Sequence, residues 1–213
     1  MKKVTFLINK KNNWIEKFIK LKNFKVKKKY KYTIAYNHNK VNNEDIVFVL
    51  SYTKILPTNF LKRNNLNIVI HSSNLPKDKG FAPMSYQVLR GEKKIFNTMF
   101  KIDHTIDGGD VCFKNYFKLN GTELYDELRK KQAESIIDLM SSFLESFPKI
   151  KFKKQKGKEN FNKRRKPEDS RININKSLKS QFNLLRITDN KSFPSFFIYK
   201  GIRFLISLKK QDE

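Results

Sequence analysis

Apolar residues along this chain fall into short blocks whose internal spacing changes in a regular way. Residues 3–9, 32–36, 46–50 and 67–71 are compact runs of branched and aromatic side chains, the pattern of short strands buried in a sheet. Between them the spacing turns helical. Over 13–19, Trp14, Ile15, Phe18 and Ile19 share one face behind Asn13 as N-cap, and 58–63 predicts a second helix. A third helix is expected over 84–91, opened by Pro83 and closed by Gly91, with strands at 95–102 and 111–119. A long helix then runs from a Thr122 cap to residue 147. Leu124, Leu128, Ile136, Ile137, Met140, Phe143, Leu144 and Phe147 form its core face, and Glu123 and Asp126 suit its positive end. Strand and helix patterns in alternation predict an α/β fold: a Rossmann-like, mostly parallel sheet flanked by helices.

The pattern breaks after residue 148. Residues 149–166 are basic, polar and nearly free of branched apolar side chains, which predicts an extended linker crossing the surface. Beyond it a short helix is expected within 172–187, and strands at 193–199 and 202–208 are joined by Lys200-Gly201, a hairpin signal. The predicted organisation is a main domain over 1–148 and, over 149–213, a basic linker with a small helix and β-hairpin extension.

Composition narrows the class. The 213 residues suffice for one domain of ordinary size with an appendage. No apolar run has membrane-spanning length, and Met1-Lys2-Lys3 leads into a strand without a signal-peptide cleavage pattern. The single cysteine, Cys112, excludes an internal disulfide framework and a multi-cysteine zinc site. A soluble, cytoplasmic protein without a metal is expected. The net charge of +26 fits a polyanionic partner or, equally, the lysine- and asparagine-rich composition of an AT-rich genome. The lysine run over 25–31 reads as a solvated helix end or loop.

The candidate chemistry lies in 67–80, NIVIHSSNLPKDKG. Side-chain alternation sends Ile68 and Ile70 to one face and Asn67, Val69 and His71 to the other. Ser-Ser-Asn and Leu-Pro end the strand, so His71 stands at its C-terminal end, the edge where open α/β sheets bind ligands. The strand over 95–102 runs into Asp103-His104-Thr105-Ile106-Asp107-Gly108-Gly109-Asp110, a tight loop able to fold over a ligand. His71 and Asp107 are the candidate pair. No G-x-G-x-x-G follows the first strand, which argues against a dinucleotide site. Cys112 reads as a buried strand residue with no histidine to activate it, His104 as a polar loop residue, and His38 as exposed.

HSSNLPKDKGFAP followed by TIDGGDV resembles the folate-dependent formyltransferases, which include methionyl-tRNA, glycinamide ribonucleotide and amino-sugar formyltransferases. The resemblance is clear over 46–110 and weaker through the helix after Gly121 and at 165–170. It implies a formyltransferase catalytic domain over 1–148 and 10-formyltetrahydrofolate as donor. It gives His71 the stabilisation of a developing oxyanion, and gives Asp107, in preference to Asp110, the imidazolium or a proton of the amine. The family places an asparagine two residues before the histidine. Val69 stands there, so Asn67, Asn74, a backbone N–H or a water is expected to replace it. The folate pocket is expected from the loop over 51–57, with Tyr52, Ile55 and Leu56, together with Thr105, Ile106 and Asp107. Lys77, Lys79, Gly80, Phe81, Pro83 and Met84 are the expected substrate-binding residues. The two lysines either meet a substrate phosphate or are ordinary surface lysines, and Arg164, Arg165 and Lys166 raise the same question.

The tail, RRKPEDSRIN followed by LLRITDNKSFPSFFIYKGIRF, resembles the segment after the catalytic domain in amino-sugar formyltransferases. A nucleotide-linked amino deoxysugar for a surface glycan such as an O-antigen or lipopolysaccharide is therefore the expected acceptor, and nucleic acid is not the expected partner. Met-tRNA and glycinamide ribonucleotide are the alternative acceptors, and a catalytically inactive basic binding module is the alternative of another class. The aromatic hairpin packs either on its own domain or on a second copy in a homodimer.

Overall fold

In the computed structural model, residues 1–21 and 29–211 are described, so most of the expected lysine-rich segment, 25–28, lies outside the described residues. In chain order the elements are β1 (Lys2–Ile8), α1 (Glu16–Leu21), β2 (Tyr30–Ala35), β3 (Ile46–Leu50), α2 (Thr58–Arg63), β4 (Asn67–His71), β5 (Lys79–Gly80) and α3 (Pro83–Leu89). They continue with β6 (Lys94–Lys101), β7 (Val111–Lys118), α4 (Tyr125–Ser146), β8 (Phe161–Asn162), α5 (Leu178–Arg186), β9 (Ser195–Tyr199) and β10 (Ile202–Ile206).

Among the described residues the main sheet has six strands in the order β2-β1-β3-β4-β6-β7. The first four are parallel, β6 runs antiparallel to β4, and β7, antiparallel to β6, returns to the direction of the first four. Strand β3 is buried throughout because apolar layers cover both sheet faces. On one side Phe6, Phe48, Ile68 and Ile70 pack against Ile136, Ile137, Met140 and Phe143 of α4. On the other, Leu7, Val47 and Val49 pack with Phe60 of α2, joined by Val69 and Ile102. The alternation expected along β4 is therefore present, and it aims His71 toward the α2 side. The chain passes from β1 outward to β2 and then back across to β3. This reversal places a crevice at the C-terminal strand ends.

Two helix starts differ from the sequence expectation. Helix α1 begins at Glu16 rather than after Asn13, because Trp14 is drawn to the sheet edge, its Nε1–H donating to Ser51 Oγ at 2.9 Å. Helix α4 begins at Tyr125, and Thr122 is not its cap: its hydroxyl is spent on Asn120 Oδ1 at 2.9 Å. Carboxylates supply the acceptors instead. Glu127 takes the Leu124 N–H at 2.8 Å, and Glu123 takes those of Asn120 and Gly121 at 2.9 and 3.1 Å.

The segment after α4 is extended, as expected, but it also pairs with the loops it crosses. Lys153 exchanges both backbone hydrogen bonds with Val111, and β8 pairs in parallel with β5. We call residues 149–162 the strap. The tail beyond it packs back on the sheet domain, with Arg186 of α5 buried against Glu123 at 2.9 Å, and is tied internally by Ile172 N–H donating to Phe196 O at 2.7 Å. Strands β9 and β10 form the expected hairpin, and its turn at Lys200 (φ 46°) and Gly201 (φ 79°) is left-handed at both positions. Among the described residues no helix is long and apolar enough to cross a membrane.

Candidate active site

Strand β4 ends in a buried histidine, 8 % exposed, between two loops. The first loop, 72–80, turns back so that the Asp78 carbonyl lies 2.8 Å from His71 Nε2. A carbonyl only accepts, so Nε2 carries a proton and Nδ1 is the nitrogen left for chemistry. The second loop, 103–110, brings Asp107 Oδ2 to 3.6 Å from Nδ1. That gap is too long for a direct hydrogen bond between neutral partners. A protonated imidazole facing the carboxylate forms an ion pair, and a neutral one leaves Nδ1 and Oδ2 facing each other as two acceptors. The Gly80 N–H donates to the same Oδ2 at 2.8 Å and fixes the carboxylate from the first loop.

Both loops depend on unusual backbone. Asp78 (φ 58°) and Asp107 (φ 48°) are left-handed non-glycine residues, a conformation that persists only where surroundings hold it. At Gly109 a Cβ would lie 1.8 Å from the Lys101 carbonyl, so only glycine lets the second loop close on β6. Asp78 is buried, and its carboxylate receives two hydrogen bonds from Arg90, at 3.0 and 2.6 Å.

Beside the second loop lies a groove of about 300 Å³ lined by Thr58, Leu61, Asn67, Ile102, Asp103 and His104, among others. Its volume is at the small end of ordinary ligand sites. Among the described residues no group of three or more His, Cys, Asp or Glu side chains is arranged to hold a metal ion.

A family model described as formyl transferase matches residues 2–143. The chain belongs to the formyl transferase family. Among curated relatives, methionyl-tRNA formyltransferase of Thermodesulfovibrio yellowstonii is 31% identical over 153 residues, covering 68% of this chain and 48% of the relative. The chain thus spans about half the length of the curated relatives it matches, 48% and 47% in two cases. Among solved structures, a methionyl-tRNA formyltransferase from Clostridium thermocellum shares the fold with a TM-score of 0.85 at 23% identity, covering 100% of this chain and 94% of its own. A 4-N formyltransferase from Francisella tularensis has a TM-score of 0.76 at 16% identity, covering 100% and 99%. HypX from Aquifex aeolicus in complex with tetrahydrofolic acid has a TM-score of 0.72 at 14% identity, covering 95% of this chain and 36% of its own.

Within this formyl transferase fold, several residues singled out from the sequence converge. His71, Asp107 and Gly80 meet directly. Ile55 is 94 % exposed and Ile106 is exposed as well, while Leu56 is half-buried beside Tyr52. Ile55 and Leu56 belong to the loop after β3 and Ile106 to the loop after β6. The Tyr52 hydroxyl is held 2.8 Å from His38 Nδ1, and the Thr105 hydroxyl donates to Asp103 Oδ1 at 2.6 Å. Lys77 is exposed, and Phe81 is half-exposed with the Arg164 guanidinium 5.7 Å from its ring centroid. Pro83 opens α3 at the rim.

Other expected roles are corrected. Asn67 does not reach His71: it lies four strand steps away, about 13 Å at ~3.3 Å per residue. It lines the groove instead, with its amide donating to Leu61 O at 3.0 Å and its Oδ1 buried without a partner among the described residues. Asn74 is exposed, and its Oδ1 accepts from Lys114 at 2.8 Å. Lys79 is not a surface lysine. It is buried, and its ammonium lies 2.5 Å from Glu159 on the strap. Met84 is 3 % exposed and belongs to the core under α3. His38 is half-buried, its ring edge-on to Tyr52 and Phe60, and burial lowers its pKa. Cys112 lies on β7 as expected but is half-buried, and burial pushes its thiol up to about 12 and keeps it protonated.

Sequence reasoning missed Asp78, Arg90, Gln155 and Asn160. Asp78 left one signal, an acidic residue between Lys77 and Lys79. The strap amides left none, because their partners lie far away in the chain.

Proposed function

We propose that this chain transfers a formyl group from 10-formyltetrahydrofolate to the amino group of a nucleotide-linked amino deoxysugar destined for a surface glycan. The observation that carries formyl transfer is the His71–Asp107 pair, 3.6 Å apart and shielded at the C-terminal edge of the sheet. With Nε2 committed to Asp78, a protonated His71 presents Nδ1–H to the negative charge that develops on the formyl oxygen as the amine attacks. A donor so aimed lowers the barrier by about 2.7–4 kcal/mol. Asp107 takes the proton that the amine sheds, directly or through water, and the same proton is passed on to the folate nitrogen as its bond to the formyl carbon breaks, so the pair ends in its starting state. The new carbon–nitrogen bond lies on the acceptor, and no redox change occurs.

The apolar side chains of Ile55, Leu56 and Ile106, two of them exposed, suit the flat face of a pterin. HypX with bound tetrahydrofolic acid shares this fold and supports folate as the donor. The sugar acceptor is supported by the tail's resemblance and by the 4-N formyltransferase from Francisella tularensis, whose fold extends over this whole chain. Lys77 and Arg164 stand at the rim as candidates for the nucleotide's phosphates. The net charge of +26 and the methionyl-tRNA formyltransferase relatives favour a second reading with Met-tRNA as acceptor.

The test is a transfer assay with 10-formyltetrahydrofolate and a panel of uridine- and thymidine-linked 3-amino and 4-amino sugars, with Met-tRNA and glycinamide ribonucleotide alongside. Turnover of one sugar nucleotide is expected. Turnover of Met-tRNA alone would replace the acceptor and keep the chemistry. Silence across the panel without folate binding would return the chain to the binding-module class.

A further inference from the structure

The strap holds both loops that flank His71. Gln155 Nε2 donates to the Asp107 carbonyl at 2.7 Å and to the Gly109 carbonyl at 3.0 Å, clamping both sides of the second loop's turn. Asn160 holds the first loop. Its Oδ1 accepts the Asp78 N–H at 3.0 Å, and its Nδ2 donates to Asp78 Oδ1 at 3.3 Å. The residues so held, Asp107 and Asp78, are the two left-handed non-glycine residues of the site loops that flank His71. One carries the carboxylate that faces Nδ1, and the other carries the carbonyl that holds Nε2. Left alone, each would relax toward ordinary backbone angles. Asp107 would then swing from Nδ1, and the Asp78 carbonyl would release Nε2–H and with it the tautomer.

The geometry points to Gln155 and Asn160 as positioning residues that set the separation and the protonation pattern of the His71–Asp107 pair. The strap is then part of the active site as well as the route to the tail. This rests on the formyl-transfer reading. Residues acting from behind move the reacting groups without touching substrate, so their loss lowers kcat more than it raises KM. The clamp on Asp107 is also separable from folding. Gln155 Oε1 is buried without a partner among the described residues, so Gln155→Met removes an unpaired acceptor together with the donor and keeps the side-chain volume.

The experiment compares Gln155→Met and Asn160→Leu with wild type and with Lys156→Ala, an exposed strap residue, in the full chain. The readouts are kcat, KM for formyl donor and acceptor, thermal midpoint, and the 15N shifts of the His71 imidazole. The expected result is a fall in kcat of about 10- to 100-fold, the scale of an ångström-level misplacement. Both KM values should stay within about threefold, and Lys156→Ala should match wild type. In Asn160→Leu the neutral imidazole, recorded at high pH, should show Nδ1–H and Nε2–H tautomers together in place of the Nε2–H form alone. The proposal is overturned if kcat per folded molecule stays within twofold of wild type in both variants, or if the imidazole spectrum is unchanged in Asn160→Leu. The spectrum needs no turnover, so a wild-type chain silent on every amine and without folate binding would sink the formyl-transfer reading and still leave the positioning claim decided.

Discussion

The loops after β3 and β4 leave the same edge of the sheet from neighbouring parallel strands, and they are built in opposite ways. After β4, His71, Ser73, Leu75, Asp78 and Lys79 are all buried, and the turn is tied to α3, to the second loop and to the strap. After β3, residues 53–55 are exposed, Ile55 almost completely, and the side-chain ties are few: Ser51 to Trp14, Tyr52 to His38, Thr53 to Asn9. The difference reflects two jobs. A proton-handling pair works only at one geometry, so its loop is over-determined by contacts. A rim that must admit a flat ligand gains from exposed apolar surface, which is covered when the ligand arrives.

Substitutions in the two loops should therefore separate chemistry and stability from binding. The largest effect belongs to His71→Asn, for which kcat/KM should fall about 1,000-fold with folate affinity largely kept. A loss below tenfold would break the comparison, because the buried loop would then be packing alone. Next is Asp78→Ala, which strips the partner from Arg90 and Asn160. In urea unfolding it should cost about 2–3 kcal/mol, the scale of hydrogen bonds to a charged group, with kcat reduced alongside. Smaller is Ile55→Ser in the open loop. It should leave the thermal midpoint unchanged and raise KM for the formyl donor about tenfold, the effect of roughly 1.4 kcal/mol of lost contact. An equal drop in midpoint for Ile55→Ser and Asp78→Ala would erase the contrast.

The smallest effect lies outside both loops and serves as their control. Burial opposes ionisation of Glu123, yet the backbone N–H groups of Asn120 and Gly121 hold its pKa below the usual carboxylate value, and Arg186 pairs with it. A depressed carboxylate contributes stability above its unfolded pKa, and that contribution is lost as pH falls through the folded value. Docking of the tail should thus be unaffected near neutrality and weaken only below the ordinary carboxylate range. Hydrogen exchange of the α5 amides, followed from pH 6 down to pH 3, should show protection falling in that window. Glu123→Gln should flatten the dependence.

Much of this was legible from local pattern. Strand positions followed from runs such as 46–50, and the facing of Ile68, Val69, Ile70 and His71 followed from alternation alone. His71 at a strand end and Asp107 in a glycine loop could be paired because both features are written within a few residues. The misassigned side chains share a different cause. Asn67 shares a face with His71, but a face says nothing of distance along it. Lys79 read either as a lysine for a substrate phosphate or as a surface lysine, until Glu159, 80 residues on, paired with its ammonium and let it sink. Met84 faces inward because α3 lies flat on β6 and α5. His38 turned inward onto Tyr52 and Phe60.

By itself the sequence determined the alternation of strands and helices, the parallel sheet and the family, since these rest on periodicities and motifs read within a few residues. Tertiary structure decided where the strap lies, which aspartate holds the far side of the histidine, and how the left-handed turns at Asp78 and Asp107 are kept. Those contacts span 82 residues from Asn160 to Asp78 and 48 from Gln155 to Asp107. An amide in an extended basic segment has no local signature. Its partner is chosen only when the chain folds back and a buried carbonyl or N–H must find its hydrogen bond.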